Sequence, residues 1–160
     1  MPSPYDWSFD KILGVFRFQG NNGADYEVAL KEAGDVYFSN FPEIKSLSYE
    51  IAFESSRASS HYDERVSLTI VEIVKAILQK GNIIIFVCES RDEKQNARHK
   101  LFANWFKKHG DGFEKYDFEF DDERPYYLSL LLDANKHTRP QLIIDEFERT
   151  IDEYCGYKNT

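Results

Sequence analysis

The chain has 160 residues, 42% of them apolar and 16% aromatic, with a formal net charge of −8. That length and composition suit one folded domain spanning 1–160 and exclude a disordered polypeptide. The negative charge argues against nucleic acid or an anionic membrane as a partner, because phosphates would be repelled, and it permits a basic protein or a cationic ligand.

Residues 1–6 read as a short flexible tail, and nothing in them has the apolar core of a signal peptide. Ile12 to Gln19 reads as a strand. The turn residues Gly20, Asn21, Asn22 and Gly23 follow, and then a returning strand in which Tyr26, Val28 and Leu30 alternate with polar or small residues. Val36, Tyr37 and Phe38 suggest one more short strand, broken by Pro42. Leu47, Tyr49, Ile51 and Phe53 alternate with Ser48, Glu50, Ala52 and Glu54, the pattern of a strand with one wet face. Ser55 to Tyr62 is a serine-rich loop.

Asp63 to Lys80 carries Val66, Ile70, Ile73, Val74, Ile77 and Leu78 at helical spacing, and Gly81 stops it. Ile83 to Cys88 is an unbroken apolar run with no polar face, which places it at the sheet centre, buried on both sides. The run leads into a second helix with Ser90 and Glu93 as a capping box, Leu101, Phe102, Trp105 and Phe106 as its buried stripe, and Gly110 as its stop. Phe113 to Phe120 and Tyr126 to Asp133 form a hairpin whose turn is acidic. Thr138 and Gln141 suggest a second capping box. The helix it opens buries Ile143, Ile144, Phe147, Ile151, Tyr154 and Cys155, and Gly156 ends it.

The order of elements implies an α+β fold: a mainly antiparallel twisted sheet of about five to seven strands with three helices packed mostly on one face. No run approaches the roughly 20 apolar residues needed to span a bilayer, and two scattered cysteines suit a reducing compartment, so a cytoplasmic location is expected.

A strand ending in Cys-x-x-x-Asp, a helix carrying Ala-Arg-x-x-Leu-Phe-x-x-Trp-Phe, and a preceding helix of the Asp-x-Arg-x-x-x-Thr-Ile type resemble a Bacteroidetes family known only as a domain of unknown function, number six-one-six-nine. The matching positions are Cys88, Asp92, Ala97, Arg98, Leu101, Phe102, Trp105 and Phe106, with Asp63, Arg65, Thr69 and Ile70 upstream. The likeness runs from the first hairpin to Phe106. It implies a small bacterial intracellular domain and brings no activity with it.

Candidate chemistry is sparse. Ser90, Arg91 and Arg98 at the start of the second helix could hold an anion. Arg98 lies on an apolar stripe and needs a partner, either a carboxylate such as Asp63 or a strand carbonyl, because an unpaired buried charge is costly. Cys88 lacks an assigned base, Asp117 and Glu119 read as a solvated sheet surface, and Asp121, Asp122 and Glu123 as an acidic hairpin tip. The four histidines show no metal-ligand spacing, so neither a metal nor a cofactor is expected.

Tyrosines on a wet sheet face would suit a protein-binding surface, with Tyr49, Tyr116, Tyr126, Tyr127, Tyr154 and Tyr157 as the candidates. The leading expectation is a small acidic non-enzymatic interaction domain of the antitoxin, immunity-protein or inhibitor kind, with a protein partner for which the charge permits a basic surface. The alternative is a small enzyme or ligand-binding domain that holds an anionic or phosphorylated ligand at a helix N-terminus. Self-association through a sheet face is a third option.

Overall fold

The computed structural model describes residues 2–21, 23–56, 63–88, 104, 106–107, 112–120 and 126–158. Seven strands form one sheet: β1 (Trp7–Asp10), β2 (Val15–Gln19), β3 (Asp25–Glu32), β4 (Ser48–Ser55), β5 (Ile83–Cys88), β6 (Glu114–Phe120) and β7 (Tyr126–Leu132). Their spatial order is β1-β2-β3-β4-β5-β7-β6. Every neighbouring pair is antiparallel except β4 and β5, which are parallel and joined by a helical crossover. The helices are α1 (Gly34–Tyr37), α2 (Pro42–Lys45), α3 (Glu64–Gln79) and α4 (Pro140–Lys158). The α+β class and the mainly antiparallel sheet are as expected from the pattern.

β5 divides the interior. Ile84 and Phe86 join Ile70, Ile73, Val74 and Ile77 of α3, together with Phe18, Val28 and Ile51 from the sheet. Ile83 and Ile85 point the other way, into a second cluster with Leu128, Leu130 and Leu132 of β7 and Ile143, Phe147 and Ile151 of α4. Burying each such side chain is worth about 1.5–3 kcal/mol, so both layers contribute strongly. The two long helices among the described residues, α3 and α4, therefore lie on opposite faces, and Phe106 from the expected second helix joins the α3 side. A strand with no polar side needs cover on both.

Several local expectations are corrected. Trp7–Asp10 is a strand, and residues 11–14 form the turn after it, so Ile12 and Leu13 lie in that turn and not in β2. Val36 and Tyr37 belong to a helical turn and not to a strand, and Phe38 is fully buried beside Phe147. Gln141 turns its amide forward to Asp145 at 2.9 Å, the helix starts at Pro140, and it continues through Gly156 to Lys158. Phe106 is buried against Phe113, as the stripe required. Asn104, Phe106 and Lys107 are helical, and the rest of the expected 90–110 helix, the 57–62 loop and the acidic 121–125 turn lie outside the described residues.

The segment read as a loose tail is fastened to α3 at Tyr5. The Tyr5 hydroxyl donates to Asp63 Oδ2 at 2.6 Å, and its amide donates to Thr69 Oγ1 at 2.8 Å. Its ring stacks on Phe18 and lies 4.0 Å beneath the Arg65 guanidinium, whose Nε donates to the Ser3 carbonyl. Asp63 also caps α3 by accepting from the Arg65 amide at 2.9 Å. Two turns further along, Glu72 accepts from Trp7 Nε1 at 2.9 Å. Through these bonds Asp63, Arg65 and Thr69 clamp the amino-terminal segment to the crossover helix, beside the first hairpin.

Three substitutions test these contacts. A Cβ on Gly34 would sit 1.9 Å from the Lys45 carbonyl oxygen, and the nearby atoms are backbone. Gly34→Ala should therefore cost about 2–3 kcal/mol in denaturant unfolding. At the clamp, Asp63→Ala should cost about 1–2 kcal/mol through the lost cap. Burial, then the bond to Asp63, raises the Tyr5 pKa above its usual value. The clamp's contribution is thus complete below the unfolded-state tyrosine pKa and is lost as pH rises through the higher folded-state value. Tyr5→Phe should lower the melting temperature at neutral pH and remove that alkaline dependence.

Candidate functional site

Cross-strand register decides which side chains share a surface. Ser8 faces Arg17, Arg17 faces Glu27, and Glu27 faces Glu54. One step along, Gln19 faces Asp25; in the other direction Lys31 faces Glu50, and Glu50 faces Ile85. Ile85 belongs to the cluster under α4, so all these residues lie on the α4 side of the sheet. On that side, α4 packs over β5 and β7, and no residue of β1, β2 or β3 enters its cluster. The β1–β4 half of the face is left polar, with Asp10, Asp25, Glu27, Glu50 and Glu54 against Arg17 and Lys31.

Arg17 does not offset this excess. Its Nη1 lies 3.2 Å from Asp10 Oδ2 and its Nε 3.0 Å from Glu27 Oε1, so its charge is already shared between two carboxylates. A shallow depression of about 590 Å³ opens where β1, β2 and β3 meet, lined by Asp6, Ser8, Arg17, Gln19, Asp25 and Glu27 on the polar side. Trp7, Phe18 and Tyr26 complete the lining, but they alternate with the polar residues along their strands, and their rings join the α3-side cluster. Clustered carboxylates attract the cationic head of a lysine or arginine side chain.

A second feature lies at the parallel pair. The β4–β5 ladder holds four residue pairs, from Ser48 and Ile83 to Ile51 and Phe86. Beyond that point β4 continues to Ser55 beside β3, and β5 continues to Cys88 beside β7, with no further pairing between them. The rings of Phe53 and Phe86, 5.4 Å apart, mark where the ladder stops. The carboxyl ends of parallel strands, where neighbouring strands diverge, are a favoured ligand position in open sheets.

Of the residues singled out by sequence, Asp63 and Arg65 meet in the Tyr5 clamp, and Cys88 ends β5. Ser90, Arg91, Asp92, Arg98 and Trp105 lie outside the described residues. Asp117 accepts from Ser129 Oγ at 2.6 Å and pairs with Lys115, which makes it part of a cross-strand network on the α3 side. His137 is partly buried, and burial lowers its pKa; its Nε2 has no hydrogen-bond partner. No group of three or more metal-ligating side chains occurs among the described residues. Tyr49 and Tyr116 are half-buried, the side chains of Tyr126, Tyr127, Tyr154 and Tyr157 lie outside those described, and the large exposed apolar side chains among the described residues are Phe9, Ile12, Leu13, Val36 and Leu142. The open carboxylate face escaped the sequence reading because it depends on register across four strands. Its only trace was the spacing of Asp25 with Glu27 and of Glu50 with Glu54.

No helix among the described residues is long and apolar enough to cross a membrane. A search of curated proteins finds no match to the chain. Among solved structures, the chain is similar to one assigned as a phosphinothricin N-acetyltransferase, at 15% identity and a TM-score of 0.45, over 77% of this chain and 72% of that one. The model of a family of unknown function, DUF6169, matches residues 62–149. That match begins at the crossover helix and runs into α4, so it reaches further into the carboxyl-terminal third than the motif residues did and leaves out the early hairpins. With more than half of its length matched, the chain belongs to the DUF6169 family.

Proposed function

We propose that the protein is an interaction domain that takes a basic polypeptide on the open half of its sheet. The observation that carries this reading is the β1–β4 half of the face, on which, among the described residues, carboxylates outnumber cations and Arg17 is already paired. The overall charge of −8 adds long-range attraction for such a partner and raises the rate of encounter. Binding, not turnover, is the activity this arrangement supports.

The test is calorimetry with a lysine- and arginine-rich peptide against the wild type and the Asp6→Asn, Asp25→Asn, Glu27→Gln triple variant. The wild type should bind, with Kd rising as salt is added, and the variant should bind about tenfold more weakly. Equal affinity for the two proteins would contradict the proposal.

A second reading has its own observation, the early end of the β4–β5 ladder. An extended ligand carrying amides would pair with the strand segments beyond Ile51 and Phe86. The sequence candidates for an anionic group on it are Ser90 and Arg91, two and three residues after Cys88, with Arg98 further along. Thermal shift with coenzyme A, ATP and a short strand-forming peptide tests it. A ligand at 100 times its Kd should raise the melting temperature by about 5 °C or more. Arg91→Ala with Arg98→Ala should remove the gain for the phosphorylated compounds only. No shift with any of the three would eliminate this reading.

A further inference from the structure

The two edges of the sheet are built differently. β6 carries Glu114, Lys115, Asp117 and Glu119, and charged side chains along an edge discourage a further strand. β1 at the opposite edge reads Trp-Ser-Phe-Asp, with neither lysine nor proline. It is the first strand in the spatial order and pairs only with β2 among the described residues. Phe9 is 47% exposed even though its ring contacts Phe16 at 4.7 Å, and Ile12 and Leu13 in the adjoining turn are 94% and 61% exposed. Apolar side chains so accessible beside an open edge mark a contact surface.

The edge is also ordered in advance. Asp10 Oδ1 accepts from the amides of Ile12 and Leu13 at 2.9 and 3.1 Å, and the Asp10 carbonyl accepts from Gly14 at 2.8 Å. Gly14 closes the turn at φ 68°, where only glycine fits without strain. Trp7 is tied to Glu72 on one side of β1, and Arg17 ties Asp10 to Glu27 on the other. Little ordering remains to be done when a partner arrives.

We infer that β1 is the edge on which the basic partner docks, as an extended segment that adds an eighth strand to the sheet. The inference rests on the acidic-face reading and narrows it to a mode of binding. Alternation fixes the chemistry of the segment. Side chains on one side lie against Trp7 and Phe9 and are apolar. Those on the other lie over Asp6, Ser8 and Asp10, beside the carboxylate depression, and are lysine or arginine. A second copy of this chain fits the same edge poorly, because pairing β1 with β1 would bring two acidic half-faces side by side on one surface.

The experiment uses the full chain and the peptide acetyl-Val-Lys-Val-Lys-Val-Lys-Val-amide, with two isomers N-methylated at alternate residues, one on the valines and one on the lysines. All three carry the same charge, and each methylated isomer has lost the amides of one edge. The parent peptide should bind, one isomer should bind at least tenfold more weakly, and the other should bind like the parent. If both isomers match the parent, the edge mode is wrong and the acidic-face reading survives. If the parent does not bind at all, both fail. If light scattering shows a dimer that Phe9→Lys disperses, a second copy occupies the edge and the inference is overturned.

Discussion

The structure depends on the burial of β5 from both sides. Ile83, Ile84, Ile85 and Phe86 alternate between two separate apolar clusters, one completed by α3 and the other by α4. Neither helix can be removed without exposing one side of the same strand. Each long helix is therefore assigned to its own face, and the sheet becomes a partition with a layer on each side.

The two helices do not cover equal areas. The α3 cluster gathers residues from β2, β3, β4, β5 and β7, so that helix lies across the middle of the sheet. The α4 cluster draws on β5 and β7, with partly buried residues of β6 and of α1 and α2 around it. Among the described residues, this offset leaves the β1–β4 half of the α4 side without an apolar cover. A bare sheet face must be polar to remain wetted, but it need not be acidic. Its excess of carboxylates is what the proposed docking of a basic partner rests on.

Much of this was readable from period and punctuation. The stripe of α3, the apolar run of β5 and the β6–β7 hairpin are long, regular patterns, and each appears where the spacing put it. β1 was missed because four residues with two aromatics cannot be told from the end of a tail; what makes it a strand is its ladder with β2. Val36 to Phe38 is an apolar triplet too short to show a period, and the packing of Gly34 against the Lys45 backbone decides for a helical turn. The helix placement was within reach of the sequence, since a strand without a polar side already calls for cover on both faces. Tyr5 was not: its value lies in Asp63, Thr69 and Phe18, and no local pattern announces partners so far along the chain.

The most direct measurement is amide chemical-shift mapping of the labelled chain during titration with a lysine- and arginine-rich peptide. The account predicts that perturbed amides concentrate on β1 to β4, around Ser8, Arg17, Asp25, Glu27 and Glu54, and fade as salt is raised. Perturbations confined to the α3 side, around Glu72 and Lys75, or an unchanged spectrum, would contradict it.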